Sequence, residues 1–303
     1  MKRRFRRVPA TATSILAALL LLPAVSAALG AERTSPGGTS KNPFRIGRPL
    51  VIPHAGGDGE YPENTMLAWE RSIAEGGDVV DIDVSMTADD VLIAFHDGTL
   101  ERTTNGAGRV ASKTYADLAK LDAGWNFALK GKFPYRGKNV HIPTVESVIR
   151  KFPTSLVTLD VKDQRTPVAG LLCVLLKKLN RANRVYVGLD TSEQVMVFRR
   201  DCPTVRTSGT SEERRAARAA RVRGDTAFRS AQLVSQPPFR GGDGKRRITK
   251  EYLAFAHRND TAVLTWVVDN PKDMAELIDL GIDGIYTRRP KVLVALLKEK
   301  GKL

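Results

Sequence analysis

The chain has 303 residues, 42% hydrophobic and 27% charged, enough for one large domain and incompatible with disorder throughout. Its two cysteines exclude a disulfide-framed miniprotein and a four-thiolate zinc site. Lys and Arg number 48 against 33 Asp and Glu, a formal charge of +15 that attracts anions: phosphate esters, nucleic acid or an acidic membrane face.

At the N-terminus, Lys2, Arg3, Arg4, Arg6 and Arg7 precede an apolar run from Ile15 to Ala27. Val25-Ser26-Ala27 offers small residues at the two positions a signal peptidase reads. This order predicts a secretory signal over residues 1–27 and a secreted or periplasmic chain after cleavage. The run falls short of the ~20 residues of a bilayer span, and Pro23 interrupts it. Residues 28–48 read as a flexible leader, being rich in Ser, Gly, Thr, Pro and Arg. Without the first 31 residues the net charge is still +10.

From Leu50 onward, β-rich runs alternate with helical stretches. Leu50–Pro53 predicts a strand, and Thr65–Glu75 a helix with Asn64 or Thr65 as cap and Gly76-Gly77 as stop. Strands are expected at Val79–Val84, Val91–Phe95, Leu156–Val161, Val185–Leu189, Val205–Ser208, Leu233–Ser235, Thr261–Val268 and Gly284–Thr287. Helical spacing marks Val145–Lys151, Val168–Leu179, Glu193–Arg200, Glu212–Arg223, Lys250–Arg258 and Pro271–Leu280. About eight such units predict an α/β fold of the TIM (β/α)8 type over residues 49–303. Only Ser85–Asp90 separates the second strand from the third, too few residues for a crossover helix, so that link is an extended loop or the pair is antiparallel. Gly98–Ile142 lacks periodicity and reads as an insertion after the third strand, over one mouth of the barrel.

Chemistry concentrates between His54 and Asp97. His54 closes the first strand, and Asp81 and Asp83 share one face of the second by their two-residue spacing. His96 ends the third, and Asp160 and Lys162 share a face of the fourth. A parallel barrel brings those strand ends, with Glu63, to a common mouth. Carboxylates gathered that closely require a cation among them, and oxygen ligands suit Ca²⁺ or Mg²⁺. Two histidines beside such an ion suit acid–base work near neutral pH.

These residues stand in a larger pattern: His54-x-Gly56, Pro62-Glu63-Asn64-Thr65, Asp81-x-Asp83, Thr87 and His96-Asp97. It continues through Leu100-x-Arg102-Thr103-Thr104-x-Gly106-x-Gly108, Ile142-Pro143-Thr144-x-Glu146, Asp160-x-Lys162, Trp266-x-Val268 and Gly284-Ile285-x-Thr287-x-x-Pro290. In order and spacing the chain resembles the glycerophosphodiester phosphodiesterase family. The resemblance implies a TIM barrel and metal-assisted hydrolysis of a glycerophosphodiester to sn-glycerol 3-phosphate and an alcohol. It implies one divalent cation, Ca²⁺ or Mg²⁺, on Asp81, Asp83 and Asp160, with Glu63 supporting or joining them. His54 and His96 match the general base and acid, and Lys162 the cation facing the phosphate. Alternatives are a phospholipase D acting on lysophospholipid or sphingomyelin, and a weakly active barrel that binds anionic lipid or cell-wall polymer. Ala55 stands where the family has arginine, and Asp81 and Asp160 where it has glutamate. Thr287-Arg288-Arg289-Pro290 replaces Thr-Asp-Arg-Pro, so Arg288 or Arg289 is positioned to replace the lost phosphate contact.

The remaining features take plainer readings. Cys173 and Cys202 form a disulfide or remain buried thiols. Trp266 is assigned to the barrel core, His141 and His257 to ordinary surface or loop positions, and Asn105–Gly108 to a turn. The Arg-rich stretch Glu212–Arg223 reads as a solvated outer helix, with contact to an anionic membrane surface as its sharper alternative. Aromatic residues do not interleave with the cations, which disfavours nucleic acid, and nothing calls for an obligate protein partner.

Overall fold

A computed structural model describes residues 42–303; the expected signal and residues 28–41 of the expected leader lie outside the described residues. Strands and helices alternate as β1 (Leu50–Pro53), α1 (Met66–Ala74), β2 (Val79–Met86), β3 (Leu92–Ala94), α2 (Tyr115–Leu118), α3 (Val145–Lys151), β4 (Leu156–Val161) and α4 (Pro167–Lys178). They continue as β5 (Val185–Gly188), α5 (Ser192–Asp201), β6 (Arg206–Thr207), α6 (Ser211–Val222), β7 (Val234–Ser235), α7 (Lys250–Arg258), β8 (Ala262–Thr265), α8 (Pro271–Leu280), β9 (Gly284–Thr287) and α9 (Pro290–Glu299).

Two sheets result, ordered β1-β9-β8-β7 and β3-β2-β4-β5-β6. All their ladders are parallel except β2 with β3, which settles the short link in favour of an antiparallel hairpin. The architecture is a TIM barrel whose ladders break at two seams, β1/β2 and β6/β7. Across the first seam the Asp78 amide donates to Val51 O at 2.8 Å, and the Val51 amide to Asp78 Oδ2 at 2.8 Å.

The two-residue side-chain period sorts each strand. Leu50 and Ile52, Val79, Leu156, Tyr186, Val234, Ala262 and Leu264, and Tyr286 fill the barrel interior as one buried cluster. The alternate residues Val80, Ile82 and Val84, Val157 and Val187 pack outward against Leu172, Leu176 and Phe198 of α4 and α5. Continuing the inward parity toward the C-terminal ends gives His54, Asp81 and Asp83, Thr158 and Asp160. The polar set therefore replaces the apolar one at a single end of the same barrel.

Residues 42–48 depart from the expected flexible leader. Phe44 is fully buried in the interior cluster, with its ring edge-on to Tyr186 at 6.4 Å. The Asn42 amide donates to Leu233 O at 2.6 Å. One aromatic side chain plugs the barrel floor, and the Ser- and Gly-rich composition upstream concealed it. Cys173 of α4 and Cys202, just after α5, form a disulfide closing a separation of 29 residues. By loop-closure entropy such a bond stabilises a fold by about 2–4 kcal/mol.

The insertion builds its own small core from Phe95, Leu100, Val110, Leu118, Val140 and Ile142. That local burial explains how a segment without periodicity is nevertheless ordered: it is held by turns and one short helix.

Candidate active site

β1 runs directly into a turn of 3-10 helix, His54–Gly56, that inverts the chain above the barrel mouth. Gly56 has φ +90°, and a Cβ there would lie 2.7 Å from the Cβ of Ala68, so α1 packs where any side chain would collide. Asn64, at φ 54°, adopts the left-handed conformation that Asn tolerates better than most residues. Thr65 then caps α1, accepting from the Ala68 amide at 3.2 Å.

This turn is tied to β2. The Ala55 amide donates to Asp81 Oδ2 at 3.0 Å, and the Thr158 hydroxyl to Asp81 Oδ1 at 2.6 Å. Asn64 Nδ2 donates to Asp83 Oδ2 at 2.7 Å while its Oδ1 accepts from the Asp83 amide at 3.0 Å. Parallel register sets Asp83 beside Asp160. The Lys162 ammonium spans them, 2.6 Å from Asp160 Oδ2 and 3.4 Å from Asp83 Oδ1. Burial alone would lower the Lys162 pKa, but the charges of Asp160 and Asp83 override it and raise it to about 12.

His54 Nδ1 lies 3.1 Å from Asp58 Oδ1. Burial opposes the imidazolium; the Asp58 hydrogen bond and the charges of Asp81, Asp58 and Asp83 outweigh it and raise the pKa to about 9. Burial pushes the Asp81 carboxyl upward, His54 pulling it back. A folded pKa of about 9 against an ordinary 6.5 means the native state holds a proton that the unfolded chain has released. That stabilisation is full below pH ~6.5 and lost as pH rises through about 9. Urea unfolding in chelator is therefore expected to show stability falling across this window, and His54→Gln to flatten the decline. A wild-type curve that rises instead would contradict the electrostatics.

The second expected histidine sits in a different knot. His96 Nδ1 is 2.7 Å from Asp97 Oδ1. Arg102, from the insertion, donates to Asp97 and grips Glu63 bidentately at 2.6 and 2.7 Å. The structure thus joins Asp81, Asp83, Asp160, Lys162 and His54 through shared hydrogen bonds and neighbouring charge, and Glu63 and His96 through Arg102 and Asp97. The knots are adjacent: Glu63 precedes Asn64, and the Phe95 amide donates to Asp83 O at 2.9 Å. Arg102 is the residue that sequence reasoning left without a role. Its signal was present, since it lies inside the Leu100–Gly108 motif, but a guanidinium reveals its partners only in space.

Trp266 differs from expectation. Its indole is 50% exposed at the end of β8, with Nε1 donating to Gln236 O at 2.8 Å, because β8 ends at Thr265 and leaves the ring above the core. His257 is half-buried against Asp283 at 2.8 Å, on the opposite end of the barrel from His54.

The donors suit a hard cation. All are carboxylate oxygens, and Asp160 Oδ1 faces Gly188, where an added Cβ would approach it to 3.2 Å. That bare glycine leaves one carboxylate oxygen of Asp160 uncovered. Asp81 and Glu63, by contrast, commit both oxygens to Ala55 and Thr158 and to Arg102. Among the described residues, no three His, Cys, Asp or Glu side chains converge on one point, and Lys162 lies between the two nearest.

Residues 54–292 match the sequence profile of the glycerophosphoryl diester phosphodiesterase family. A glycerophosphodiester phosphodiesterase of Caldanaerobacter subterraneus subspecies tengcongensis is 28% identical over 83% of this chain and 99% of its own length. The Bacillus subtilis enzyme of that name is 27% identical over 84% and 87%. A glycerophosphoryl diester phosphodiesterase domain from Mycobacterium tuberculosis superposes with a TM-score of 0.72 at 22% identity, covering 83% of this chain and 99% of that one. An Oleispira antarctica phosphodiesterase solved with the product sn-glycerol-3-phosphate gives 0.66 at 18% identity, covering 83% and 97%. With the profile spanning most of its length and the barrel shared, the chain belongs to the glycerophosphoryl diester phosphodiesterase family.

Proposed function

We propose that the chain is an exported, metal-dependent hydrolase of glycerophosphodiesters, with His54 and His96 as its proton-transfer pair. The observations that carry this reading are the Lys162 ammonium between Asp83 and Asp160 and, in the knots that adjoin this pair, two imidazoles each held at Nδ1 by a carboxylate. Asp58 and Asp97 favour the Nδ1–H tautomer, which leaves Nε2 of each ring to exchange a proton with substrate. One ring takes the proton from water as its oxygen bonds to phosphorus. The other gives a proton to the alcohol oxygen as its bond to phosphorus breaks. Lys162 faces the non-bridging oxygens, and Arg102, held on Glu63 and Asp97, adds positive charge beside His96.

The family is generally dependent on divalent metal. Asp83 and Asp160 are the residues that would hold Ca²⁺ or Mg²⁺, with the buried charge of Asp81 behind them and Glu63 positioning Arg102. A cation bound there neutralises charge on the phosphate. Export rests on the basic, apolar, small order of residues 1–27, and the Cys173–Cys202 disulfide suits an oxidising compartment.

The test is release of sn-glycerol 3-phosphate from glycerophosphocholine by the purified chain with Ca²⁺ or Mg²⁺, against lysophosphatidylcholine. Turnover of the first supports the reading. Turnover of the second alone assigns a lysophospholipase D, and binding without product assigns a non-catalytic barrel.

A further inference from the structure

A cleft of about 760 Å³ opens beside the histidines, walled by the loop after β1, the tip of the insertion and the start of α9. Asp58, the partner of His54, and Glu63, the partner of Arg102, lie on its catalytic side. Its acids can be taken in turn. The four acids each have a cationic neighbour: Asp58 has His54, Glu63 has Arg102, Asp269 has Arg288 at 2.6 Å, and Glu60 has Lys291 at 3.8 Å. Two lining cations, Lys130 and Arg289, are exposed and make no side-chain hydrogen bond or ion pair among the described residues, although the charge of Arg289 also acts on Glu60.

Both positions are fixed by the backbone. Lys130 sits at φ 50° in the Leu129–Lys132 turn, and Arg289 precedes Pro290 with its amide held by the Thr287 hydroxyl at 3.0 Å. Lys130, in the insertion, and Arg289, just after β9, are thus the lining cations whose side-chain donors the protein does not use. The substrate fragment reaching that far is the departing alcohol, since the phosphate is at Lys162.

We propose that this cleft receives the leaving alcohol, and that Lys130 and Arg289 select an alcohol bearing its own phosphate or carboxylate over a cationic one. The inference rests on the hydrolase reading above and adds to it a substrate class: diesters of sn-glycerol 3-phosphate with an anionic second alcohol. Choline, with a fixed positive charge, meets two cations there whose side-chain donors are uncommitted. An anionic alcohol gains two partially exposed ion pairs, each worth about threefold to fivefold at low salt.

The experiment measures kcat/KM for three diesters that share the glycerol 3-phosphate half. Their alcohols are choline, glycerol and a phosphorylated glycerol. Wild type is compared with Lys130→Ala, Arg289→Ala, the double variant and Arg218→Ala on the remote helix α6. The expected order is phosphorylated glycerol, then glycerol, then choline. The double variant should lose about tenfold on the first, change little on glycerol, and lose its preference as salt rises. Arg218→Ala should behave as wild type. Equal losses on all three alcohols, or the same loss in Arg218→Ala, overturn the assignment. Binding of the same diesters in chelator is measured by calorimetry alongside. A preference for the anionic diester that disappears in the double variant supports the cleft even without turnover, and uniform binding overturns it. Glycerol-diester turnover without any preference sinks the selectivity and leaves the hydrolase reading standing.

Discussion

His54→Ala is expected to lower turnover by about 10²–10⁴-fold while leaving the thermal transition of the metal-loaded protein near wild type. That is the loss expected of the proposed proton-transfer group; His54 is partly exposed at the rim, and the apolar interior of Leu50, Ile52, Tyr186 and Tyr286 lies below it. His96→Ala is expected to lose a comparable factor. Because the proposed reaction has the two imidazoles act on its opposite protons, the double variant should fall little below the worse single one. Steady-state kinetics with circular dichroism on each variant decide the matter. Wild-type rates in either single variant would remove that ring from the chemistry.

Chelation is expected to abolish turnover and added Ca²⁺ or Mg²⁺ to restore it, and Asp83→Ala to abolish it without rescue. Asp83 is 4% exposed, bonded to Asn64 on one oxygen and paired with Lys162 on the other. Removing it separates the Lys162 ammonium from one of its two carboxylates and takes away the central oxygen of the Asp83–Asp160 pair. The pH dependence of metal affinity has a definite sign. A divalent cation repels the proton that Asp58, Asp81 and Asp83 hold on His54, so binding releases protons, and affinity should strengthen as pH rises toward about 9. Isothermal titration in two buffers of different ionisation enthalpy counts those protons. Zero release, or turnover indifferent to chelator, would contradict the ion site.

The alternation of strands and helices was legible because each element repeats a period: two for Val79–Met86, near 3.6 for Met66–Ala74. The Asp81/Asp83 pair was legible for the same reason, since two acids on one face of an otherwise apolar strand demand a partner. The insertion carried no such signal. Its residues are placed by a local cluster around Leu100, Leu118 and Ile142 and by side chain–backbone bonds such as Asn126 to Glu101 O at 2.8 Å. Phe44 was missed because a single aromatic in a Ser- and Gly-rich stretch has no period to announce it, and only the hollow floor of the barrel gives it a site.

By itself the sequence determined which strands point chemistry into the barrel mouth, because side-chain parity and strand order are properties of the chain. It also carried the residue types of a phosphodiesterase: two imidazoles, three aspartates and a lysine in family spacing. What only the tertiary structure decided is how those charges are shared. Glu63 faces Arg102, Lys162 lies between Asp83 and Asp160, Asp81 answers Ala55 and Thr158, and Lys130 and Arg289 keep their side-chain donors free of hydrogen bonds. Ion pairing depends on separations of a few ångströms between atoms of residues as distant in the chain as Asp83 and Lys162, and no one-dimensional pattern encodes those distances.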